Sequence, residues 1–143
     1  MSETRLFEDF FRNTSSIAII SSSNYEIEGK KEEYKRSERL LNDLKKLRIT
    51  TILSLFGHFN YDTVSLNQFS FLIAGKFNFK DILKLARKYN QNSFIFNKSL
   101  YDTKTGKEIK MFSSIKIGNP NEFSKYEDYS KIYDIKDLCF ELI

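Results

Sequence analysis

The chain reads as an α+β domain whose antiparallel sheet carries two helices on one face, the split βαβ or ferredoxin-like arrangement. Three features predict it. An apolar run ending in serines, Ile17 to Ser23, feeds a charged amphipathic helix. A second amphipathic helix ends at Lys88-Tyr89-Asn90-Gln91 and passes almost without a loop into the apolar segment Ser93 to Phe96. Two further apolar runs lie between the helices, so the order is strand–helix–strand–strand–helix–strand.

Residues 1–13 form a short helix with Leu6, Phe7, Phe10 and Phe11 on one stripe. A helix this short is marginal alone, so the stripe docks on its own domain or serves as an oligomer arm. Residues 14–143 form a single α+β domain. Ser16 to Ser22 is the first strand and Ser23 to Gly29 a polar loop. Lys31 to Leu47 is helical, with Leu40, Leu44 and Leu47 at i, i+4, i+7 and Leu41 widening the stripe. Ile49 to Phe56, rich in β-branched residues, is a strand ending near Gly57, followed by a loop from Asn60 to Asn67 and a third strand, Gln68 to Ala74. Asn78 is the N-cap of the second helix, with Asp81 in its first turn where the dipole favours an acid. Ile82, Leu83, Ala86 and Tyr89 form its buried stripe.

Asp102-Thr103-Lys104-Thr105-Gly106 is a hairpin turn between Leu100-Tyr101 and Glu108 to Phe112, with Gly106 free to take positive φ. Gly118-Asn119-Pro120 breaks the chain, Asn121 to Asp134 is polar, and Leu138 to Ile143 returns as a last edge strand. The third and fourth strands are apolar at nearly every position (Phe69, Phe71, Leu72; Phe94, Ile95, Phe96), where a sheet with one wet face would alternate. Both faces are therefore expected to be covered, which points to a homo-oligomer.

Composition narrows the function classes. Of 143 residues 41% are hydrophobic and 29% charged, the balance of a folded domain rather than a disordered chain. The formal net charge is +4. Lys30 to Arg48 holds eight basic residues, but Glu32, Glu33, Glu38 and Asp43 interrupt them. A solvated helix face explains this better than a nucleic-acid surface, which wants an unbroken basic stripe. No apolar run reaches membrane-spanning length and no signal peptide opens the chain, so a cytoplasmic protein is expected.

Chemistry has few candidates. His58 is the single histidine and Cys139 the single cysteine, which removes the common zinc ligand sets; no metal or cofactor is expected. Cys139, between Leu138 and Phe140, reads as a small core residue. His58 reads as a turn histidine, with acid–base work the alternative. Ser21, Ser22 and Ser23 lack the glycines of a nucleophile elbow. Their hydroxyls either satisfy loop amides at the strand end or line a ligand pocket. Phe69, Phe71, Phe94 and Phe96 have core spacing, and no Lys/Arg-Gly-Phe run supports base stacking.

Several short elements in order resemble the small phage proteins that include the S-adenosylmethionine lyases. These are Ser21 after the first strand, Arg36 with Leu40 and Leu44, Gly57-His58-Phe59, Gln68-Phe69-Ser70-Phe71, the Tyr89 to Phe96 junction, and the aromatic strand near Phe140. The resemblance implies a PII-like subunit assembling as a trimer, with S-adenosylmethionine or another adenine nucleotide held between subunits by positions matching Ser21, Ser22, Arg36, Phe59 and Gln68. The lyases resemble enzymes using a tyrosine and a glutamate where this chain has Phe59 and Gln68. Phenylalanine donates no proton and glutamine is no carboxylate, so no catalytic residue transfers. The resulting expectation is a phage-type counter-defence or host-takeover factor that captures a host protein or an adenine-containing ligand. The competing expectation is a lyase with relocated catalytic groups.

Overall fold

The computed structural model describes residues 16–22, 30–61, 64–123, 129–132 and 138–143. The expected helix over residues 1–13 and the loop over 23–29 lie outside them. Among the described residues nine strands and two helices follow in chain order: β1 (Ser16–Ser21), α1 (Lys30–Leu44), β2 (Arg48–Tyr61), β3 (Val64–Lys76), α2 (Phe79–Lys88), β4 (Ser93–Phe96), β5 (Ser99–Asp102), β6 (Glu108–Met111), β7 (Ile115–Gly118), β8 (Tyr129–Ile132) and β9 (Cys139–Leu142). A 3₁₀ turn, Pro120–Glu122, separates β7 from β8.

The two-helix, two-layer ferredoxin-like or PII-like sandwich is not the architecture. All nine strands belong to one antiparallel sheet in the order β6-β5-β4-β1-β3-β2-β8-β9-β7, curled into a half-barrel. The element order read from the sequence does run through β1 to β4. What it missed is β7 and β8, and how far the sheet runs: the β4–β5–β6 extension on one side and β8, β9 and β7 on the other all belong to it.

Chain connectivity requires the curl. The outermost strands β6 and β7 are consecutive, and only residues 112–114 separate them. Laid flat at about 4.8 Å per strand, the sheet would hold them roughly 38 Å apart. The chain from Met111 to Ile115 spans at most about 14 Å. Hydrogen bonds fix this connector to both sides. Phe112 N–H donates to the Lys98 carbonyl (2.7 Å), while Ser113 and Ser114 N–H donate to the Ile143 carbonyl (2.7 and 3.0 Å).

Curling gives the sheet two unlike faces, each with its own core. On the convex face, Ala18 and Ile20 of β1 and Phe71 and Ile73 of β3 pack with Leu40 and Leu44 of α1 and Ile82 and Ala86 of α2. On the concave face, the alternate residues Ile17, Leu72 and Ala74 pack with Leu55 of β2, Ile132 of β8 and Phe140 of β9. Leu40, Leu44, Leu55, Leu72 and Ile132 are all fully buried, each stabilising by about 1.5–3 kcal/mol. The apolar second face, from which a homo-oligomer was inferred, is thus covered by strands of the same chain.

Three local expectations need correction. The segment Asn60 to Asn67 is not a loop, because β2 and β3 form one long hairpin paired from Arg48↔Lys76 out to Tyr61↔Val64. His58 therefore sits within a strand, opposite Asn67 on one side and Tyr129 on the other. The last strand is no edge: β9 lies between β8 and β7. The physical reason is common to all three. Short, partly polar segments have weak strand preference alone and become strands only beside a partner whose backbone groups need bonds.

The helix ends match their sequence signals. Asn78 and Asp81 form a reciprocal capping box at the start of α2, with Asp81 N–H donating to Asn78 Oδ1 (3.0 Å) and Asn78 N–H to Asp81 Oδ2 (3.2 Å). At its end Asn90 takes positive φ (54°) and Gln91 N–H reaches back to the Ala86 carbonyl (2.9 Å). That left-handed cap turns α2 into β4 without a loop. Gly106 has the expected positive φ, 72°.

Gly75 is where β3 passes the β2 bulge between Ile49 and Thr51. A Cβ there would collide with the Arg48 carbonyl oxygen and stand 2.8 Å from Ile49 Cα, both backbone atoms that cannot swing aside. Gly75→Ala is expected to destabilise the protein by about 1–3 kcal/mol, read as a lower urea midpoint with unchanged m-value.

Candidate functional site

The structure divides the five expected ligand-binding residues. Side chains alternate along β1, so Ser21 follows Ile17 and Ile19 onto the concave side, while the next residue, Ser22, meets α1. Ser22 and Arg36 come together. Ser22 Oγ lies 3.0 Å from Ser37 Oγ, and Arg36 Nε donates to the Ser22 carbonyl (2.8 Å). A second Arg36 nitrogen donates to the Tyr89 carbonyl at the end of α2, and the guanidinium lies 5.7 Å from the Tyr89 ring centroid. Arg36 thus ties the end of β1 and the end of α2 to α1 through two of its donors.

An electrostatic contact closes the same helix pair. The Asp43 carboxylate on α1 accepts from Lys88 Nζ and from the Tyr89 hydroxyl, both at 2.7 Å, with Lys46 Nζ 3.7 Å from its other oxygen. The Lys88 and Tyr89 hydrogen bonds hold the Asp43 carboxyl below its ordinary range. Burial, then the Asp43 carboxylate, push the Tyr89 hydroxyl the other way. Tyr89 is therefore a fixed donor, not a proton-transfer group. Gln91, also buried, donates from Nε2 to the Tyr89 carbonyl at 3.2 Å. These bonds join α1 to the end of α2 and read as helix docking.

Ser21, Phe59 and Gln68 lie elsewhere. Ser21 Oγ donates to the Phe69 carbonyl of β3 (2.5 Å), a strand carbonyl rather than a loop amide. Ser21 pairs with Ser70 in the last register position of β1 against β3. The backbone of Gln68 is two residues further out, opposite Gly57, and Phe59 is further still, opposite Leu66. Both belong to the part of the β2–β3 hairpin beyond the last register position of β1.

Around that strand end the concave side changes character. Ser70 follows Leu72 and Ala74 along β3, and Ser130 follows Ile132 along β8, so both serines share the inner face. Ser70 is 5% exposed and Ser130 8%. They flank β2, Ser70 opposite Leu55 and Ser130 opposite Gly57. Sequence reasoning missed both. Alternation in Phe69-Ser70-Phe71 did signal Ser70, but Ser130 sat in a segment read only as polar.

A second polar assembly organises the β5–β6 turn. Asp102 Oδ2 accepts from the Thr105 hydroxyl (2.7 Å) and N–H (2.8 Å), which hold its carboxyl low. Arg87 of α2 donates to the Thr103 and Lys104 carbonyls (3.0 and 3.2 Å). Thr103 Oγ1 is buried among them with no hydrogen-bond partner.

Cys139 is fully buried, as expected of a core residue. Among the described residues no group of three or more His, Cys, Asp or Glu side chains is placed to hold a metal ion. No described helix is long and apolar enough to cross a membrane. No protein-family model, curated protein or solved structure matches this chain.

Two outcomes follow. Asp43→Asn should lower stability at neutral pH by about 1–2 kcal/mol, the charged hydrogen bonds being discounted for the exposed Lys88. Because the folded carboxyl titrates below its unfolded value of about 3.9, the wild-type advantage is complete above that pH and vanishes as pH falls through the lower folded value. Urea titrations from pH 7 to pH 3 read the convergence of the two proteins. Thr103→Val removes an unbonded buried hydroxyl and should leave the thermal midpoint unchanged or raise it, with a gain of up to about 1–3 kcal/mol.

Proposed function

We propose that this chain acts by binding rather than by turnover, as a counter-defence or host-takeover factor that captures an adenine-containing ligand or a host protein in the cytoplasm. The supporting observation is the state of its proton-handling groups. Among the described residues a carboxylate and a phenol converge at Asp43 and Tyr89, where Asp43 accepts from the Tyr89 hydroxyl and from Lys88 between two helices. The positions that the lyase resemblance would make catalytic are Phe59 and Gln68, on the outer β2–β3 hairpin. A general acid or base needs a free proton-transfer group within reach of its substrate, and neither arrangement supplies one. Homo-oligomerisation belongs to the same reading: a ligand held between subunits needs no complete site in one chain.

Incubation of the purified protein with S-adenosylmethionine tests this directly. The expected result is no methylthioadenosine above the uncatalysed background over hours; release at enzyme-like rates would overturn the proposal. Native mass spectrometry of the same preparation reads subunit number and any retained small molecule.

A further inference from the structure

We propose that the outer surface of the two helices binds the phosphate backbone of duplex DNA without reading its sequence. The inference goes beyond the ligand or host-protein capture proposed above and does not depend on it.

Along the chain, acids interrupt the basic run from Lys30 to Arg48, but helical spacing sorts its better-placed members by flank. Asp43 marks the flank of α1 that meets α2, because it accepts from Lys88 and Tyr89. At 3.6 residues per turn Arg36, Arg39 and Lys46 lie within about 60° of Asp43 round the helix, whereas Glu38 stands about 140° away. On α2, Lys80, Lys84 and Lys88 recur at i, i+4 and i+8 in steps of about 6 Å, opposite the buried Ile82 and Ala86. The Lys88–Asp43–Lys46 contact joins the two rows into one surface.

The balance of charge there is one-sided. Two carboxylates belong to these flanks, Asp43 and Asp81, and Asp81 is engaged in the α2 capping box. Asp43 lies beneath its partners: its side chain is 14% exposed, those of Lys46 and Lys88 78% and 59%, so the cations meet solvent and the acid does not. Six cations against two carboxylates leave a surplus of four, the whole formal net charge of the chain, and the remaining residues balance to zero.

The composition of the surface selects its partner. A membrane-surface helix carries an apolar face, and a protein interface has a buried aromatic or aliphatic anchor. None of the large apolar side chains exposed among the described residues belongs here; Tyr34 stands about 180° round α1 from Asp43. Single strands bind on open aromatic platforms, but the Tyr89 ring is buried with Arg36 and Lys88 against it. Duplex RNA is held partly through its 2′-hydroxyls, for which these arginines and lysines offer no acceptor. Cations alone, spaced along two helical ridges, match the regular charge of a DNA backbone and carry no base readout.

Fluorescence anisotropy of a labelled 20-base-pair DNA duplex, titrated with the full chain from 50 to 200 mM NaCl, reads the interaction. Binding should saturate, be equal for two unrelated sequences, and weaken with salt at a logarithmic slope of about −4. A Lys80→Gln, Lys84→Gln double variant should reduce that slope by about 2 and weaken binding roughly 25-fold to 100-fold at 0.1 M salt, with an unchanged urea midpoint. A Lys110→Gln, Lys131→Gln double variant loses the same charge from exposed positions on β6 and β8 and should stay within about twofold of wild type.

The inference fails if the duplex is not bound at 50 mM salt, or if the helix variant binds as wild type. It fails equally if the strand variant loses as much as the helix variant, which would show attraction by net charge alone. Tighter binding of a 20-nucleotide single strand, of the matching RNA duplex or of phosphatidylserine vesicles would also overturn it. None of these outcomes bears on the S-adenosylmethionine assay, and methylthioadenosine release would leave the DNA titration standing.

Discussion

The short connector between β6 and β7 is the constraint from which the rest of the structure follows. Three residues cannot bridge the width of a flat nine-stranded sheet, so the sheet has to curl until its outer strands meet at residues 112–114. Successive N–H groups there bond to opposite neighbours, Phe112 to Lys98 and Ser113 to Ile143. Curling in turn brings β7, β8 and β9 round to the face that the helices leave uncovered. That is why one chain of this size supports two hydrophobic clusters instead of the single interlayer core of a sandwich.

With two covered faces, alternation along a strand becomes a choice between two environments rather than between core and water. Neighbouring residues then acquire unrelated roles. Ser21 closes the inner side of β1 while Ser22, one step on, docks on α1. Phe71 packs under the helices and Leu72 lies inside the curl. The polar residues follow the same division. On the helix side they are engaged: Arg36 bridges two carbonyls, and Asp43, Lys88 and Tyr89 close the gap between α1 and α2. Inside the curl, Ser70 and Ser130 share the inner face with the apolar cluster at its edge.

This division also reshapes the functional reading. Of the residues grouped by a family-like order along the chain, Arg36 gives two of its donors to backbone carbonyls. Asp43 and Tyr89 would look like an acid–base pair from their titration behaviour alone. Their geometry shows a carboxylate and a hydroxyl satisfied by each other, which perturbs both in the directions expected of a structural contact.

The sequence alone determined what depends on near neighbours. The Leu40/Leu44 stripe, the Asn78 N-cap with Asp81 in the first turn, the end of the second helix near Asn90, the Gly106 turn and the order of elements from β1 to β4 are all local. Their causes are helical periodicity, a polar side chain three residues from an unpaired N–H, and the φ that asparagine and glycine tolerate. Tertiary structure decided the strands that need a partner, β7, β8 and the outer halves of β2 and β3, because ladder bonds between residues far apart in sequence leave little trace in either segment. It also decided what covers the second apolar face. A strand apolar on both sides records only that neither side meets water; whether another subunit or the chain's own later strands exclude it depends on the path of the backbone.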